Sequence, residues 1–201
     1  MRASRTTHLM LVVCDHFEPR HGVTSVQQSA QRLATWRREY PLLQKWCRDA
    51  YGTTPLHSFF YPPHHGDEPL PELADMVFDG LGEVELHYHH GNDTAASFRL
   101  DLAAALQRYR RWGLLQQDGA PPRQGFGFVH GDWALDNACG GPFCGVNAEL
   151  SILQEHGCWA DFTMPSGNEC QTRKINSIYY AVDDPGRSKS HDWGDDARVV
   201  D

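Results

Sequence analysis

Histidines and carboxylates recur in this sequence where short apolar runs stop. The first run ends in Asp15, His16 and Glu18, and the second in Tyr61, His64, His65 and Asp67. A third closes on His87, His89, His90, Asn92 and Asp93, and a fourth on His130, Asp132, Trp133, Asp136 and Asn137. A fifth carries Asp161 and Thr163 and stops at Ser166. Imidazoles beside carboxylates can hold a divalent ion or move protons. Chance gives one or two such ends, whereas four in succession mark a site.

The third run is the most informative. Side chains alternate along a strand, so Val84 and Leu86 share one face while Glu85, His87 and His89 share the other. Two imidazoles two residues apart can bind one ion, and His90 replaces His89 if the strand ends early. Asp15 follows an apolar stretch, where an ionised carboxylate needs a partner. It is the natural oxygen donor to complete an Asp/His/His set. Glu18 reads as a second acid or base, or as a loop residue. Trp133 offers a flat face for a sugar ring or an anchor for the core. Asp136-Asn137 reads as a turn first and a sugar contact second. His191-Asp192 reads as solvent-exposed.

Parallel strands present such ends together, and the elements follow that pattern. Strands are expected at residues 8–17, 56–61, 83–89, 125–130 and 159–164, with a sixth at 176–182. Helices are expected between them. One runs over 24–40, capped by Thr24 or Ser25, and is broken or restarted by Pro41 before a second piece at 42–50. Others cover 70–78, 94–112 with Asp93 or Thr94 as cap, and 148–155. Strand–helix alternation implies a parallel sheet with chemistry at the strand ends. Five or six strands suit an incomplete barrel better than a closed eightfold one. Residues 1–182 form the domain; 183–201 are a polar tail or the shortened remainder of it.

Composition narrows the function classes. The net charge of -8, with no cluster of Lys and Arg, argues against nucleic acid as partner. No apolar run is long enough to span a membrane. The short run after two N-terminal arginines is no signal peptide, which points to the cytoplasm. Six cysteines make no Cys-x-x-Cys pair, so free buried thiols are expected. A Cys139–Cys144 disulfide would require an oxidising compartment.

Four segments carry a resemblance. They are Val13-Cys14-Asp15-His16-Phe17-Glu18-Pro19, Phe59-Phe60-Tyr61-Pro62, the stretch 83–94 around His87-Tyr88-His89-His90, and the stretch 128–137 around His130-Gly131-Asp132-Trp133. Together they resemble the glycoside hydrolase/deacetylase superfamily, within it the polysaccharide deacetylases of carbohydrate esterase family 4. A similar run at 158–166 resembles a bacterial, deacetylase-like branch. The resemblance implies a distorted (β/α)7-type barrel, here incomplete at the C-terminus, with one divalent metal held by Asp and two His. Zinc is the first choice, cobalt and nickel the others. A water activated there attacks the acetyl carbonyl, a carboxylate acts as base, and a His protonates the leaving group.

Carried over, Asp15, Glu18 and His130 are the expected catalytic groups, and Asp15, His87 and His89 or His90 the metal ligands. Tyr61, Asn92, Asp93, Asp132, Trp133 and Asp161 are the expected substrate contacts. Two departures stand out: Cys14 and His16 flank Asp15 where the family has paired aspartates, and Gly91 stands where it has the second His. The implied activity is deacetylation of N- or O-acetylated sugars of an oligo- or polysaccharide. The alternatives are a metal-independent glycoside hydrolase with two carboxylates, and a non-catalytic carbohydrate-binding relative.

Overall fold

The computed structural model describes residues 9–22, 25–117, 123–167 and 169–198. In chain order its elements are β1 (Cys14–His16), α1 (Val26–Trp46), β2 (His57–Tyr61), α2 (Leu70–Phe78), β3 (Gly82–Tyr88), α3 (Ala95–Arg110), β4 (Gln116–Gln117), β5 (Arg123–Gln124), β6 (Phe126–His130), α4 (Glu149–Glu155), β7 (Cys158–Asp161), β8 (Tyr179–Ala181) and β9 (Gly194–Asp196). Strands β1, β2, β3, β6 and β7 pair in that order, all in parallel. A helix lies between each successive pair, as parallel neighbours require a crossover. The chain is therefore an α/β protein built on a five-stranded parallel sheet.

Register assigns the two faces. Asp15, Phe59 and Val84 stand in one row, and His16, Phe60 and Glu85 in the next. The first row faces the helices. There Phe59, Tyr61, Val84, Leu86, Phe126 and Phe128 pack on Leu33 of α1, Leu73 of α2, Phe98 of α3 and Ile152 of α4. Each such buried side chain is worth about 1.5–3 kcal/mol of transfer free energy. The other face is concave. The rings of Phe60 on β2 and Phe162 just after β7 lie 5.7 Å apart, although β3 and β6 separate their strands. Their strands stand three spacings, roughly 14 Å, apart, so the two rings reach toward each other across this face.

Helix ends follow local chemistry. Ser25 caps α1, its hydroxyl accepting from the Gln28 N–H at 3.1 Å; Thr24, the other expected cap, lies outside the described residues. Thr94 and Ser97 form a capping box on α3. Pro41 does not break α1, contrary to expectation. It forfeits one backbone bond, but Leu33 and Tyr40 are buried and Trp36 packs against the same core, which holds the helix through the proline.

Three further expectations change. Residues 179–181 do not extend the parallel sheet; β8 pairs antiparallel with β9. The residues after 183 are not wholly a solvated tail, because Ser190 and His191 are buried, anchored on Asp136. Asp136 Oδ2 accepts from Ser190 Oγ at 2.6 Å and from the His191 N–H at 3.1 Å, and the carboxylate is fully buried, out of reach of a sugar. The bridge among the described cysteines is Cys139–Cys170, not Cys139–Cys144; Cys144 is free and buried. No described helix is long and apolar enough to cross a membrane.

Candidate functional site

The alternation along β3 divides the histidines between two clusters. His87 and His89 point to the concave side, while Tyr88 and His90 point to the helix-covered side. Strand β6 does the same: Val129 pairs with His87, and His130 with Tyr88.

On the concave side His16, Glu18, His64, His87 and His89 meet. Glu18 Oε1 lies 3.4 Å from His89 Nε2, 3.7 Å from His87 Nε2 and 4.0 Å from His65 Nε2. The His16 ring packs on His87 at 4.4 Å, and the His64 ring on His89 at 4.9 Å. Two overlapping sets, His16/Glu18/His87 and Glu18/His64/His89, have ligand atoms close enough to hold one metal ion. Side-chain exposure climbs from 0% at His87 through 17% at Glu18 to 32% at His89, so the cluster opens toward solvent at His89.

Hydrogen bonds behind the rings fix their tautomers. His87 Nδ1 lies 2.9 Å from the Val129 carbonyl, which can only accept, so Nδ1 carries the proton. His89 Nδ1 donates to the Asp132 carboxylate at 3.3 Å. Both Nε2 atoms therefore present lone pairs, and they face each other at 2.9 Å. Two bare lone pairs repel at that distance; the gap takes a proton or a cation. Such outer-shell acceptors are what orient metal-binding imidazoles. Where a proton fills that gap, hydrogen bonds from His87 and His89 to Glu18 hold its carboxyl well below the usual carboxylate range, against its burial. The same bond to Glu18 raises His89, with burial opposing and Asp132 assisting.

The second cluster is closed. His90, His130, Cys144 and Glu149 form a buried group able to hold a metal ion. Glu149 Oε1 lies 3.0 Å from His90 Nε2 and 3.4 Å from His130 Nε2, and Glu149 Oε2 lies 3.3 Å from Cys144 Sγ. Burial lowers His130 to about 4. Burial also opposes ionisation of Glu149, but His130 and His90 together bring it below its ordinary value.

The remaining expected residues fall as follows. Asp15 faces the helices and meets His57 at 3.3 Å, so it stands apart from His87 and His89. Glu18, expected as an acid or base or as a loop residue, stands 3.7 and 3.4 Å from His87 and His89. His90 and His130 are withdrawn into the closed cluster, and Asp93 bonds His90 Nδ1 at 2.7 Å instead of facing a substrate. Tyr61 is fully buried, its hydroxyl on the Gly66 carbonyl, because its strand position faces the helices. Asn92 is exposed beside residues 141–144. Asp161 is tied to the Thr163 hydroxyl and N–H. Asp132 and Trp133 stand at the open rim, with Trp133 41% exposed and 6.2 Å from the His16 ring. Both adopt φ of 55°, a left-handed conformation unfavourable for side chains of this kind and frequent at functional loops. Cys144 and Glu149 were not expected as ligands. Glu149 reads in sequence as an ordinary first-turn acid of a helix, and only the placement of His90 and His130 on the helix side points to it.

Beside the open cluster runs a groove of about 510 Å3 between β1 and α1. Its walls include Glu18 and the polar side chains of Gln28, Gln31, Arg32 and Thr35. Comparison of the chain with protein-family models, with curated proteins and with solved structures found no match in any of the three.

Proposed function

We propose that the chain is a metal-dependent hydrolase that removes acetyl groups from N- or O-acetylated sugars, working at the open Glu18/His87/His89 centre. The observation that carries this reading is the convergence of two tautomer-fixed Nε2 lone pairs on one carboxylate oxygen. These donors fit a divalent ion, zinc first and cobalt or nickel next, and Glu18 takes the oxygen-ligand role expected of Asp15. The chemistry such an ion supplies is Lewis-acid polarisation of an acyl carbonyl and activation of a water.

The chain's own residues do the rest. Val129 and Asp132 orient the two imidazoles. Asp132, 53% exposed on its side chain, and the exposed His64 are the groups at the mouth positioned to hold or pass a proton. Partial burial of its ring and the neighbouring His89 lower His64, which favours its neutral form. Trp133 supplies a stacking face, and Gln28, Gln31 and Thr35 in the groove walls supply uncharged hydrogen-bonding groups beside the charged Arg32 and Glu18, a mixture that suits sugar hydroxyls. The meeting of the Phe60 and Phe162 rings across the sheet supports a barrel-type architecture, and the resemblance to polysaccharide deacetylases supports the same chemistry. The cytoplasmic reading of the N-terminal residues stands beside a Cys139–Cys170 bridge, a bond that persists in oxidising compartments. Free-thiol titration of the protein isolated from its native cell decides between them.

The test is acetate release from a panel of N- and O-acetylated oligosaccharides, with zinc, cobalt or nickel added. Release that is lost in His87→Ala and in Glu18→Gln supports the proposal. Cleavage of the sugar chain without acetate would favour the two-carboxylate glycosidase. Binding of intact sugar without either product would favour a non-catalytic relative.

A further inference from the structure

Behind the open centre, the closed cluster has features that a hydrogen-bond network alone leaves unexplained. Its imidazoles are both tautomer-fixed from outside. His90 Nδ1 donates to Asp93 at 2.7 Å, and His130 Nδ1 donates to the Gly131 carbonyl. Both Nε2 atoms therefore turn toward Glu149. His90 Nε2 lies 3.0 Å from Glu149 Oε1. His130 Nε2 is fully buried and has no hydrogen-bond partner among the described residues, although Glu149 Oε1 is only 3.4 Å away. A lone pair facing a carboxylate oxygen in the interior is unfavourable unless something positive lies between them.

The other two donors are prepared in the same way. Glu149 Oε2 accepts the Asp136 N–H at 2.6 Å, and Cys144 Sγ accepts the Val146 N–H at 3.4 Å. Each of the four potential ligands thus has an outer partner that aims it inward. Bonds of about 2.0–2.3 Å at tetrahedral angles separate neighbouring donors by roughly 3.3–3.6 Å. His90 and His130 approach Glu149 Oε1 at 3.0 and 3.4 Å, close to that range, and one ligand atom from each of the four residues lies within 4.8 Å of the others. A thiolate and a carboxylate also balance the charge of a divalent ion, so the whole unit is neutral and can be buried.

We propose that His90, His130, Cys144 and Glu149 bind a second, structural zinc ion. It is distinct from the open centre, and it does not depend on the catalytic reading. The donors come from the ends of β3 and β6, from the loop 138–148 and from the first turn of α4. An ion there would clasp the loop that follows Asp132 and Trp133, and so hold the rim of the open centre in place. Four protein donors in a closed pocket leave no position for substrate, as in structural sites.

Sulfur makes the two sites separable, because Cys144 is the only cysteine in any of the metal-competent groups among the described residues. The full-length chain is stripped and reloaded with cobalt, and the near-ultraviolet sulfur-to-cobalt charge-transfer band is recorded. The band is expected in the unaltered chain, to persist in His87→Ala and Glu18→Gln, and to vanish in Cys144→Ser. Absence of the band in the unaltered chain, or its persistence in Cys144→Ser, overturns the proposal. Should Cys144→Ser fail to fold, X-ray absorption of zinc-loaded His87→Ala/His89→Ala protein answers instead. One sulfur among nitrogen and oxygen neighbours supports the site, and a shell without sulfur refutes it.

Discussion

His87 and His89 hold their Nε2 atoms 2.9 Å apart while the Val129 carbonyl and the Asp132 carboxylate retain their Nδ1 protons. The second of these anchors can be removed. Asp132→Ala frees the His89 ring to change tautomer and rotate. Zinc affinity at the open centre is expected to fall about 10–100-fold, the usual cost of losing an outer-shell partner. Competition with a chromophoric chelator measures it. Unchanged affinity would mean that His89 is not a ligand.

Gly131 is required by that same ring. A Cβ at this position would lie 2.3 Å from His89 Cγ, too close for either group to stay. Gly131→Ala should therefore displace His89 and weaken metal binding at the open centre at least tenfold. The charge-transfer band assigned to Cys144 provides an internal control, since it reports the other cluster. Equal zinc affinity in Gly131→Ala and the parent would count against the packing described.

Glu85 gives a pH signature. Burial pushes its pKa from 4.5 to about 8, opposed by a hydrogen bond from the Gly127 N–H and reinforced by Glu83. The folded chain thus holds a proton that the unfolded chain releases, so stability falls as pH rises from about 4.5 through 8. Glu85→Gln keeps the acceptor for Gly127 and removes the ionisation. In metal-stripped protein it should match the parent near pH 4 and exceed it by a few kcal/mol at about pH 8.5. Urea titrations at the two pH values test this. Parallel losses in both proteins would contradict it.

Asp136 ties the C-terminal residues to the loop after β6. It accepts from Ser190 and His191, and its own carbonyl accepts the Lys189 N–H at 2.7 Å. Asp136→Ala leaves buried donors unpaired and should cost about 2–4 kcal/mol in denaturant titration. Hydrogen exchange at residues 189–192 should rise with it. Exchange confined to its original level would show that the segment is held some other way.

Much of this was legible in sequence, because it rests on local rules. The boundaries of α2 were expected as found, since Leu70, Leu73, Ala74 and Met76 recur at helical spacing and Gly80 follows. The shared orientation of Glu85, His87 and His89 follows from strand alternation alone. The division of His89 from His90 follows from the same rule, and it places His90 with Tyr88 on the helix side. The place of Asp15 depends on strand register: only the pairing with Phe59 shows that it faces α1. Cys144, Glu149 and the buried Ser190-His191 pair depend on long-range closure, which no local spacing encodes. The same holds for the Cys139–Cys170 bridge, which spans 31 residues.

The most direct test of the account is the zinc content of the full-length chain by elemental analysis, set beside His87→Ala and Glu18→Gln. Each substitution is expected to remove one equivalent of zinc that the unaltered chain binds at the open centre. Equal zinc content in all three proteins, or no zinc in the unaltered chain after reloading, would contradict it.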